Sequence, residues 1–234
     1  MQRRRFNIVL LSGAGLCGVG VPPAQAASLS GSLSDGDAAS GIRAALERGA
    51  ESAVSLLGRP DGFLGNPKVK IPLPGVLKKT SKLLKATGQG AAVDELITAM
   101  NRAAEAAVPQ AKELLLGAVK TMSVDDGRKI LTGGDRSVTD FFSAKTREPL
   151  GVKFLPIVTQ ATEKVELADK YNAVAGQAAG LGLLDKKDAN VQQYVTAKAL
   201  DGLYFMIGEE ERRIRKDPVG TGSDILKKVF GSLK

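Results

Sequence analysis

The stretch from Asp188 to Lys216, DANVQQYVTAKALDGLYFMIGEEERRIRK, is the longest unbroken helical pattern in the 234-residue chain, and it dictates what the other segments must provide. Val191, Val195, Ala199, Leu203 and Met206 recur at helical spacing on one side, while Leu200, Tyr204, Phe205 and Ile207 fill the rest of the circumference. A helix apolar all round is expected to be buried all round, which requires neighbours on every side. Gly202 and Gly208 forgo roughly 1 kcal/mol each of helix propensity, so a neighbouring helix is expected to approach closely at both. From Glu209 the pattern turns charged. Glu209 with Arg213 and Glu211 with Arg215 stand four apart, acid first, and Arg212 to Lys216 put positive charge at the negative end of the helix dipole. That end is expected in solvent, and Asp217 before Pro218 is expected to stop the helix.

Hydrophobic residues make up 43% of the chain, enough to bury a core, but aromatics only 4%, with no Trp. Recurring Ala, Leu, Gly and Lys suit small-residue helix packing, and no charge run or low-complexity linker divides the chain. The expected fold class is all-α: a single compact domain of roughly eight to ten helices around the long buried helix 188–216. The sequence has no His, which removes the commonest general base, the His-dependent triads and the usual zinc ligand together.

Residues 1–26 read as a cleaved export signal. Arg3, Arg4 and Arg5 precede an apolar run from Phe6 to Val21, followed by Pro22-Pro23 and Ala24-Gln25-Ala26. The run is shorter than the roughly 20 residues a membrane span needs. The Arg cluster resembles a twin-arginine signal, although Asn7 stands where a hydrophobic residue is usual, so the Sec and twin-arginine routes both remain open. Cys17, the one cysteine, lies in this segment, and Leu16 before it argues against a lipoprotein. A mature chain, 27–234, would have no thiol, and its formal charge falls from +8 to +5 because the segment carries three arginines and no acid. Such an excess speaks weakly for an anionic surface and hardly at all for nucleic acid.

Ser34 and Asp37 are expected to cap a first helix with the stripe Ile42, Leu46, Ala50, Val54 and Leu57. Four prolines and three glycines in RPDGFLGNPKVKIPLPG, 59–75, preclude a helix there, and the segment reads as an ordered extended loop laid across helices. Val76 to Ala86 is expected to be a short basic helix. Val93, Leu96, Ile97, Met100, Ala104 and Val108 mark the next, and Pro109 kinks it or begins another, which continues through Leu115 to Met122. Ser123 and Asp126 start a short helix ending at Gly133-Gly134-Asp135. Ser137 with Asp140 starts one containing Phe141-Phe142, and Thr146 is expected to cap a separate helix with Pro149 in its first turn and an apolar side of Leu155, Val158, Ala161 and Val165. Tyr171 and Val174 face inward on the helix after that. Ser223 caps a terminal amphipathic helix with Ile225, Leu226, Val229, Phe230 and Leu233 on one face.

Together GFLGNPKVKIPLPG, LTGGD followed by a Phe pair, KFLPIV and DPVGTGSDILKKVFG carry a resemblance over about residues 29–231. The chain resembles an uncharacterised family of exported Gram-negative bacterial helical proteins, a domain of unknown function. The resemblance implies export and a helical fold, and it brings no substrate, cofactor or catalytic residue.

Candidate ligand-binding residues are therefore chosen on local chemistry alone. Gly133-Gly134-Asp135, and Gly220 to Gly222 before Ser223, could offer backbone N–H groups to an anion, but each is better explained as a helix stop and cap, with no phosphate-loop order. Lys68 and Lys70 could rim a site over an apolar cleft, or their loop could simply seal the core through Pro72, Leu73 and Pro74. Asp125-Asp126 and Glu209-Glu210-Glu211 read as solvated faces rather than metal sites. No catalytic residue, metal or cofactor is assigned. The expected function is that of a periplasmic, non-enzymatic binding or interaction protein for an apolar or anionic ligand or a protein partner. The alternatives are a hydrolase using Asp or Glu, and a peripheral membrane protein acting through its C-terminal helix.

Overall fold

A computed structural model describes residues 35–217 apart from 76–77, 79–80, 82–84, 89, 135, 164 and 181–189. Among the described residues seven α-helices and a 3-10 turn follow one another: α1 Asp35–Leu57, α2 Gly90–Ala107, the turn Val108–Gln110, α3 Ala111–Lys120, α4 Val124–Thr132, α5 Ser137–Thr162, α6 Glu166–Gly180 and α7 Val191–Lys216. No strand occurs among them, and the fold is all-α. The described residues all fall within one compact unit. The expected helices 76–86 and 223–234 lie largely or wholly outside the described residues, which leaves the helix count below eight to ten.

The sequence accounts for most of the helix boundaries. At α7 the Asn190 side chain accepts the Gln193 N–H, and Asp217 closes the last turn through its N–H to the Arg213 carbonyl. Ser123 and Asp126 form a reciprocal capping box that satisfies two otherwise orphaned donors at α4. One expected boundary is absent: 137–162 is a single helix, not two. Thr146 does not cap. It is buried in mid-helix, where its hydroxyl donates back to the Phe142 carbonyl at 2.7 Å. Of the expected apolar side Val158 and Val165 are buried, but Leu155 and Ala161 are exposed, and Leu150 and Phe154 are the buried residues of the preceding turns. Nor does Ser137 cap α5; Arg136 holds that place, and the serine hydroxyl donates instead to the Ile130 carbonyl at 2.9 Å.

The two 26-residue helices, α5 and α7, pack along each other. α1 and α2 also pack against α7, α2 against α5, and α3 and α4 against α1. The stripe expected for α1 is buried in full, as are Val93, Leu96, Met100 and Ala104 of α2. Segment 59–74 runs across α2 and α7 without helix or strand, and polar side chains of those helices satisfy part of its backbone. Asn101, fully buried, accepts the Ile71 N–H at 2.8 Å and donates to the Ile71 carbonyl at 3.0 Å. Glu105 Oε1 accepts the N–H groups of Phe63 and Leu64, both at 3.0 Å, and the Tyr194 hydroxyl donates to the Pro72 carbonyl.

α7 is not buried all round. Phe205 is 40% exposed and Asp201 stands beside it in solvent, because the first turns of α5 and the 59–74 loop flank this strip without covering it. The charged end is only partly in solvent: Glu211 and Ile214 are buried there. The two glycines are close approaches of different kinds. A Cβ at Gly208 would stand 2.8 Å from the Thr139 hydroxyl of α5, a helix crossing, whereas at Gly202 it would stand 2.7 Å from the Phe63 ring of the loop.

Candidate functional site

The exposed strip of α7 is the floor of a groove. The loop alternates, with Val69, Ile71 and Leu73 buried and Lys68, Lys70 and Pro72 exposed, so its lysines stand on one bank. There a concavity of about 330 Å³ is lined by Lys68, Lys70, Pro72, Lys198, Asp201 and Phe205, with Gly202 beneath. On the other side of Phe205 a second concavity of about 280 Å³ is lined by Arg136, Asp140 and Arg147 of the α5 bank together with Asp201, Tyr204 and Phe205. Both share Asp201 and Phe205, so they form one shallow groove with the aromatic ring as its central ridge.

Six cations stand around that ring against three carboxylates. Lys68 pairs with Glu209 at 2.5 Å, and Arg212 pairs with the same carboxylate while its guanidinium lies 5.9 Å from the Phe205 ring centre. These two partners hold the Glu209 carboxyl below its ordinary range, the Lys68 hydrogen bond being the larger cause. The expected Glu209–Arg213 pair is replaced, since Arg213 pairs with Glu210 at 2.5 Å. Arg147 pairs with Asp201 at 2.6 Å and Lys198 reaches the same carboxylate at 3.5 Å. Lys70 pairs with no described carboxylate. Tyr204 anchors the floor. The Thr146 proton is committed to the Phe142 carbonyl, so the Tyr204 hydroxyl donates to Thr146 at 2.9 Å. Burial pushes the Tyr204 phenol up, with the Arg147 charge acting in opposition.

Of the candidates named from sequence, Lys68 and Lys70 therefore stand together on one bank. Gly133 and Gly134 lie elsewhere, in the tight turn from α4 to α5. A Cβ at Gly133 would meet the Lys129 carbonyl and the Ser137 Cβ, each at 2.6 Å, so close packing accounts for that glycine. Asp135, Gly220, Gly222 and Ser223 lie outside the described residues, as does the C-terminal helix. Phe205, Lys198 and Arg147 were missed because helical periodicity does not reveal which part of an all-round apolar helix lacks a neighbour.

Two buried carboxylates are engaged in the fold. Glu105 holds the loop and pairs with Arg102 at 2.6 Å. Glu211 pairs with Arg215 at 2.9 Å and meets the Ser137 hydroxyl at 3.2 Å, while Arg215 donates to the Ile130 carbonyl. Burial raises the Glu211 carboxyl despite Arg215, Ser137 and the Val138 amide, and its Oε2 accepts no well-aligned hydrogen bond. Asp140 and Asp201, the carboxylates on the α5 side of the groove, are both exposed and paired with arginine. Among the described residues no three His, Cys, Asp or Glu side chains converge as metal ligands, and no helix is long and apolar enough to cross a membrane.

The family profile described as "Protein of unknown function (DUF4197)" matches residues 32–231. The chain belongs to that family. The match takes in every described helix, the loop and both banks of the groove. No curated protein matches the chain, and no solved structure does.

Proposed function

We propose that the chain is an exported, non-enzymatic binding protein of the periplasm, and that the Phe205 groove takes an acidic protein segment carrying an apolar anchor. The observation that carries this reading is the exposed aromatic ring with six cations and three carboxylates around it. An aromatic flanked by arginines is the composition of interface hot spots, and the positive excess favours an acidic partner through both steering and contact. The groove is shallow and open along its length, which suits a protein segment better than an engulfed small molecule. The Arg3–Arg5 cluster, apolar run and Ala24-Gln25-Ala26 support export with cleavage after Ala26.

A hydrolase reading has less support. A general acid is best placed in a desolvated site with a raised pKa, whereas Asp140 and Asp201 beside this groove stand in water paired with cations, and Glu209 is held below its ordinary range by Lys68 and Arg212.

Native mass spectrometry of the protein purified at low salt from its own host tests the reading. A protein adduct should appear on the wild type, dissociate as salt is raised, and be absent from the Lys70→Glu, Lys198→Glu double variant. A bare wild-type chain, or an adduct indifferent to both substitutions, would overturn it.

A further inference from the structure

The α4–α5 turn opens a second cleft that shares no lining residue with the Phe205 groove. One face of α4 supplies Asp126, Lys129 and Ile130, and one face of α5 supplies Phe141, Ala144 and Lys145, around a cavity of about 300 Å³. Ile130 and Phe141 are buried in the core and give the cleft an apolar wall, while Ala144 is exposed at its mouth. The turn is fixed from behind, because the Ser137 hydroxyl donates to the Ile130 carbonyl and accepts from Arg215.

The rim chemistry selects the charge of an occupant. Asp126 is engaged by the capping box, its Oδ2 accepting the Ser123 N–H at 3.1 Å. Neither Lys129 nor Lys145 ion-pairs with a described residue, although both lie close enough to favour the Asp126 carboxylate electrostatically. Two ammonium groups against one carboxylate favour a single negative charge, and the carboxylate disfavours a second. The volume of about 300 Å³ suits a small aromatic ring system or a short alkyl chain and is too small for a folded partner.

We infer that the α4–α5 cleft binds a small anionic amphiphile, a monocarboxylate or monosulfonate, with its anion at Lys129 and Lys145 and its apolar body on Phe141 and Ile130. This site goes beyond the partner-binding reading and stands independently of it.

Titration of the full chain with 1-anilinonaphthalene-8-sulfonate at low ionic strength tests the site, with octanoate and octylamine as competitors. Saturable fluorescence enhancement is expected, displaced by octanoate and not by octylamine. Ala144→Trp, at an exposed position, should fill the cleft and abolish binding, and Lys129→Gln with Lys145→Gln should weaken it by about tenfold or more. Phe205→Ser, in the other groove, should bind as the wild type does. Circular dichroism melts establish that each variant is folded. The inference is overturned if the wild type gives no saturable signal, if octylamine competes as well as octanoate, if folded Ala144→Trp binds unchanged, or if Phe205→Ser alone removes binding.

Discussion

Gly202 and Gly151 are both helical glycines, yet replacing them should have opposite effects. Helix propensity favours Ala over Gly by roughly 1 kcal/mol at either position. At Gly151 no atom stands within 4 Å of the added methyl, so Gly151→Ala should stabilise by about 0.5–1 kcal/mol. At Gly202 the methyl meets the fully buried Phe63 ring at 2.7 Å, and overpacking costs about 1–3 kcal/mol, enough to reverse the propensity gain. Urea unfolding of the pair should give shifts of opposite sign. At Phe205, 40% exposed, truncation to Ala should cost about 1 kcal/mol or less, whereas Leu203→Ala, two positions away and fully buried, should cost about 2–5 kcal/mol. Glu211 adds a pH signature. Its folded-state pKa is raised, so its ionised form weakens the fold at neutral pH, and that penalty is relieved as pH falls through the raised value towards the ordinary glutamate range. The melting temperature of the wild type relative to Glu211→Gln should therefore rise as pH is lowered across that window; a relative fall would mean that the Arg215 pair outweighs burial.

At the scale of elements, the amphipathic stripes of α1 and α2, the capping box of α4 and the end of α7 were all legible, because each depends on residues within a few turns of one another. The loop 59–75 was legible as ordered and extended from its prolines and glycines, but its fasteners were not. Asn101 and Glu105 look like ordinary polar positions of α2, and their partners lie 30 to 42 residues away. Long-range satisfaction of a backbone leaves no local pattern. The union of 137–162 was hidden for a similar reason: Thr146 as a cap with Pro149 in the first turn argued for a break, whereas burial of Leu150, Phe154 and Val158 against the core favours continuity. Asn101→Ala should orphan both backbone groups of Ile71, at about 1–3 kcal/mol for each buried group, and should speed hydrogen exchange of the Ile71 amide without affecting α1 amides.

Across the whole molecule, α7 has one strip left open between the α5 bank and the pinned loop, and that strip carries the aromatic and the cations. The same fasteners that seal the core with Val69, Ile71 and Leu73 also fix where Lys68 and Lys70 stand, so stability and the candidate site share their parts. The sequence made the loop lysines visible as candidates, but the opposite bank comes from α5, whose facing requires three-dimensional packing. The most direct measurement is photo-cross-linking in the host cell with benzoylphenylalanine at position 205 and, as a reference, at position 152, which is 73% exposed and outside the groove. A discrete protein adduct from position 205, absent from position 152 and lost on Lys70→Glu with Lys198→Glu, is the predicted result. No adduct from position 205, or the same adduct from both positions, would contradict the assignment of this groove as a partner site.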